Sequence, residues 1–161
     1  MDEVKLRRYR NLLVISGTGV IAFGVWSVVK AILFLTLTPD PLQLSEMTDV
    51  SAFELPFVKM MIYFVLAVIL AADLSLRLYI GLSARAEGNG KKKRIVYVVV
   101  AAIILLLSLW SIITSFHLSE YASLLDMIVS FFVELTSAAA FFEVIYASCM
   151  VRRLQKKAKV G

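Results

Sequence analysis

Apolar residues dominate four long runs of this chain, set apart by short polar stretches. The first, Leu12 to Leu37, carries one charge, Lys30, and stops at Thr38-Pro39-Asp40-Pro41, where each proline removes a backbone donor and restricts its predecessor. The second runs from Phe57 to about Leu82. The third, Ile95 to Phe116, holds no charged residue, and the fourth extends from about Tyr121 to Val151, with Arg152 and Arg153 at its exit. A helix needs about 20 mostly apolar residues to cross roughly 30 Å of hydrocarbon. All four runs pass that test.

The pattern therefore predicts an all-α membrane protein, a bundle of four transmembrane helices over about 11–37, 57–82, 95–116 and 121–151. An outer loop at 38–56, an inner loop at 83–94 and a basic tail at 152–161 complete one membrane domain, 1–161. Membrane strands are excluded because they alternate apolar and polar residues, whereas Val96 to Leu107 is apolar on every face. The first run is too long for the apolar region of a cleaved signal peptide, typically about 7 to 15 residues, and is expected to stay as an anchor. Composition agrees: 60% of the 161 residues are hydrophobic, 18% are charged, and the mean hydropathy is +0.85, more apolar surface than a soluble core can use.

Basic residues give the expected orientation, since cytoplasmic flanks carry the excess of Lys and Arg. Arg7, Arg8 and Arg10 precede helix one; Lys91, Lys92, Lys93 and Arg94 lie between helices two and three; Arg152 and Arg153 follow helix four. The two opposite loops carry Asp40, Glu46, Asp49, Glu54 and Glu120 instead. Both termini and the central loop are thus expected in the cytoplasm, with these nine basic residues as candidate contacts for anionic lipid, each worth about 1 kcal/mol near the surface. The pI near 9.4 does not point to nucleic acid, because loops this short cannot build a folded basic surface.

Two further patterns bear on architecture. Arg10 and Trp26-Ser27-Val28-Val29 recur as Arg94 and Trp110-Ser111-Ile112-Ile113 at one offset of 84 residues, and Asp73 falls on Glu143 at an offset of 70. This is the signature of a tandem repeat of a helical hairpin. In the first outer loop, Leu42, Met47, Val50, Phe53 and Phe57 recur every three to five residues, which predicts a short amphipathic helix at the interface.

Candidate chemistry rests with ionisable residues inside the spans, each costing about 2.5 to 3.5 kcal/mol at mid-depth. They are Lys30, Lys59, Asp73, Arg77, Asp126, Glu134 and Glu143. Counted from each span's midpoint at 1.5 Å per residue, Lys30 lies about 10 Å and Glu134 about 5 Å to the outside, and Asp73 and Glu143 about 8 to 9 Å to the inside. Small residues recur every seventh position as Gly17, Gly24 and Ala31 in helix one and Ser123, Ser130 and Ser137 in helix four, which predicts close packing of these two helices. A Lys30 to Glu134 ion pair between them is expected, with Lys59 and Asp126 nearer the outer surface. In the inner layer Arg77 can bridge Asp73, four residues before it, or reach Glu143.

Other constellations are thin. Cys149 is alone, so no internal disulfide or Cys-x-x-Cys site exists; it is expected as a small packing residue near the inner end of helix four. His117 and Glu120 supply two metal-compatible ligands where a site needs more. No catalytic set and no cofactor motif is evident. The expectation is a non-enzymatic module that binds a membrane partner or lipid. Alternatives are a small homodimeric transporter or channel using the intramembrane carboxylates, and an enzyme acting on lipid headgroups.

Overall fold

A computed structural model describes residues 2–37, 55–91, 94–117 and 124–157. They form four helices: α1 (Asp2–Leu37), α2 (Leu55–Gly88), α3 (Val96–His117) and α4 (Leu124–Lys157). Each contains a stretch long and apolar enough to cross a membrane, Glu3–Leu33, Pro56–Gly88, Val96–Thr114 and Phe131–Lys157, the make-up of a multi-pass membrane protein. The expected amphipathic helix of the first loop, Glu120, Lys92, Lys93, Ser123 and the side chains of Asp126, His117 and Ser130 lie outside the described residues.

Helix α2 ends later than its hydropathy predicts. Residues 83–88, expected in the inner loop, continue the helix because Ser83, Ala84, Glu87 and Gly88 are buried against neighbouring helices. The stop is a C-cap built on Gly90. Its φ of 87° is a left-handed conformation that glycine adopts without a Cβ penalty, and it turns the Gly90 N–H to Glu87 O at 3.0 Å and the Lys91 N–H to Ala86 O at 3.0 Å. Those two bonds satisfy carbonyls that the helix end leaves open.

The helices stand in ring order, with α1 packed most extensively on α2 and next on α4, α3 on α4, and only light contact between α2 and α3. The tightest seam joins α1 to α2. A Cβ at Gly81 would meet Gly17 O at 2.5 Å, and one at Gly88 would meet Arg10 O at 2.8 Å, so these backbones touch directly. In hydrocarbon, where helix association depends on close packing, small residues serve this purpose. The Gly17 and Gly24 face therefore meets α2, through Gly81 and the stem of Arg77, and not α4 as its seven-residue spacing suggested. That spacing marks a seam without identifying its partner, and α2 carries its own glycines seven apart.

Burial is uneven along the bundle. Leu13 and Val20 of α1, Ile80 and Ala84 of α2, Tyr97 and Ala101 of α3, and Phe141, Val144 and Ala147 of α4 form one core. All lie in the half that holds the ends of the chain, called the terminal half below. Large apolar side chains such as Phe64, Val68, Leu106, Trp110 and Phe132 are exposed on the outside, as helices surrounded by hydrocarbon require.

Candidate functional site

In the other half the four helices diverge around a cavity of about 500 Å³. Helical spacing decides what faces it. Phe23, Trp26, Ser27 and Lys30 recur along one stripe of α1, Ile69, Asp73, Leu76 and Arg77 along one of α2, and Ile104, Leu107, Ser108 and Ser111 along one of α3. Val133, Glu134 and Ser137 of α4 close the ring. Two cations, two carboxylates and four serines thus share one chamber, in segments where each charge is costly.

At the chamber's inner limit Arg77 is held from several sides. Its Nε donates to Asp73 Oδ1 at 3.1 Å and Oδ2 at 2.9 Å, its Nη1 donates to Ser137 Oγ at 2.9 Å, and the guanidinium lies 5.5 Å from the centre of the Phe141 ring. Gly24 leaves room for the stem, since a Cβ there would meet Arg77 Cδ at 3.1 Å. The i,i+4 bridge expected from sequence is made. The alternative link to Glu143 is not: Glu143, exposed, accepts a hydrogen bond from Ser16 Oγ of α1 at 2.7 Å. Asp73 and Glu143, aligned by the repeat pattern, therefore stand in different surroundings. Lys30 and Glu134 line the same chamber, whereas Lys59 lies in the first turns of α2 outside its lining.

A second polar cluster, unforeseen in the sequence, closes the terminal end. Glu87, 5% exposed, receives Arg152 Nε on Oε1 and Nη2 on Oε2, both at 2.9 Å. The Tyr97 hydroxyl donates to Glu87 Oε2 and shares a 2.9 Å hydrogen bond with Ser148 Oγ. Arg152 also lies 5.9 Å from the centre of the Tyr97 ring. The cluster joins α2, α3 and α4. The signal available beforehand was faint: Glu87 as an acid among basic neighbours, and Tyr97 as a polar tip inside an apolar run.

The nine basic residues expected at lipid headgroups divide accordingly. Arg152 gives two of its five N–H donors to Glu87 and keeps a side-chain exposure of 29%. Arg10 packs beside Gly90, with its Nε buried and lacking a hydrogen-bond partner. Arg7, Arg8, Lys91, Arg94 and Arg153 are exposed. Cys149, expected to be packed, is exposed as well, because its helical neighbours Ala147 and Ser148 take the inward positions. Among the described residues no three His, Cys, Asp or Glu side chains gather as a metal set.

The chamber offers hydrogen-bond donors, acceptors and both signs of charge around a space large enough for a small molecule or a lipid headgroup. Compared with known proteins, the chain matches no family model, no curated protein and no solved structure.

Proposed function

We propose that this chain is a non-enzymatic binding module of the membrane that takes a small polar group, free or as the head of a lipid, into the chamber between its helices. One observation carries the reading: Lys30, Asp73, Arg77, Glu134 and four serines face a single cavity of about 500 Å³ within segments apolar enough to span a bilayer. Intramembrane ionisable residues around a cavity mark a site for a polar guest. The packed core beneath makes the chamber one-ended, which suits binding better than conduction. The distribution of basic residues supports placing the termini in the cytoplasm, so that the chamber faces the opposite leaflet.

A second reading, a small carrier working as a homodimer, is favoured by the vertical arrangement. The chamber lies above the Phe141 and Val20 core, and the Glu87 cluster lies below it. Alternating access would open the packed core to the terminal side as the chamber closes, one part of the bundle rocking against the other.

Native mass spectrometry of the protein taken from its own membranes into lipid discs separates the two, paired with solute uptake into proteoliposomes. The binding module predicts a retained small molecule or lipid that Glu134→Gln loses while the protein stays folded, and no uptake. Uptake abolished by the same change would replace it with the carrier. A wild-type chamber that retains nothing, in vesicles that take up nothing, would remove both.

A further inference from the structure

We propose that the groove between the first turns of α1 and the last third of α4 is a site for one anionic phospholipid. This site is separate from the chamber and does not depend on its ligand. The groove has a volume of about 680 Å³ and is lined by Arg7, Arg8, Tyr9, Leu12, Ile15 and Tyr146 among others. Its chemistry is graded along the helix axis. Arg7 and Arg8 are exposed at the mouth, at the same end of the bundle as the Glu87 and Arg152 cluster. Ile15 lies seven to eight residues further in, about 11 Å along the axis, and is 68% exposed.

Between the two levels stands an aromatic wall. The Tyr9 ring meets the Tyr146 ring edge to face, with centroids 6.0 Å apart, and Tyr146 stacks on Phe142 at 6.4 Å. Tyrosines with an apolar body and a polar tip belong at headgroup depth. Two guanidinium groups present a planar fork suited to phosphate, and below them an apolar trough runs along the direction an acyl chain takes. The occupant with that order of parts is a lipid with an anionic head.

Other described basic residues of α4 stand apart from this groove. Arg152 is bound to Glu87, and Lys156 and Lys157 are exposed on the last turn of α4 outside the groove lining. The site therefore makes a claim that diffuse attraction between basic clusters and an anionic leaflet does not make. The position of the charge matters, and not only its amount.

The test uses the full chain in detergent micelles, titrated with phosphatidylglycerol or with phosphatidylcholine of the same acyl chains and read by native mass spectrometry. Arg7→Ala/Arg8→Ala is compared with Lys156→Ala/Lys157→Ala, which removes equal charge. Wild type is expected to hold one phosphatidylglycerol and to prefer it over phosphatidylcholine. The arginine pair is expected to lower its retention about tenfold or more, and the lysine pair less than about twofold. Tyr146→Ala, which keeps every charge, is expected to shorten retention too. Equal losses from the two double variants, or equal retention of the two lipids, would overturn the proposal. Both pairs are exposed, and unchanged thermal unfolding confirms that fold is not what was lost.

Discussion

Arg152 grips Glu87 with two parallel hydrogen bonds, Nε to Oε1 and Nη2 to Oε2, each 2.9 Å long, and so ties the penultimate turn of α4 to the last turn of α2. A carboxylate 5% exposed without that partner would be a buried charge held by hydroxyls alone.

Replacing Arg152 with Met is expected to destabilise the bundle by about 2 to 3 kcal/mol. This is less than a fully buried pair loses, because the Arg152 side chain is 29% exposed. Adding Glu87→Gln removes the orphaned charge and is expected to recover most of the loss. Unfolding in mixed micelles measures both. A double variant no more stable than Arg152→Met alone would show that the pairing is not the cause.

The glycines offer an internal comparison. A Cβ at Gly81 would meet Gly17 O and Ile21 Cγ1 at 2.5 Å, whereas one at Gly19 meets nothing within 4 Å. Gly81→Ala is expected to cost about 1 to 3 kcal/mol by forcing α1 and α2 apart. Gly19→Ala is expected to be neutral or to stabilise by up to about 1 kcal/mol, since alanine suits a helix better. The same unfolding assay decides, and equal effects at both sites would contradict the seam.

The Lys30 to Glu134 pair expected from sequence is open to a double-mutant cycle with Lys30→Met and Glu134→Gln. Coupling of about 0.5 to 1 kcal/mol is expected for a polar contact between membrane helices. A coupling near zero would mean that the two side chains line the chamber without pairing.

What the sequence made legible was local. Four apolar runs set the four helices, and Asp73 with Arg77, four apart, formed the bridge that spacing allows. Facing was not legible, because a helix apolar on all sides gives no stripe from which to read a neighbour. Gly17 and Gly24 announced a close approach, but the matching serine spacing pointed to α4, whereas these glycines face α2. Glu87 lay beyond the point where hydropathy fell, so it read as loop. Burial at that level depends on Tyr97, Ser148 and Arg152, which lie far along the chain and meet only in the fold. Lys30 and Glu134 were named in advance, but the chamber they share comes from helices diverging, which no single helix encodes.

The backbone contact between Gly17 and Gly81 also constrains how the molecule moves. Two helices whose backbones touch at Gly17 and Gly81 cannot rotate about their own axes without collision, which locks α1 and α2 in one register. Helix α3, packed chiefly on α4 and only lightly on α2, is the element least tied to that pair. The α2 to α3 side is therefore the least tightly packed wall of the chamber, the one that yields at the smallest cost in helix contact.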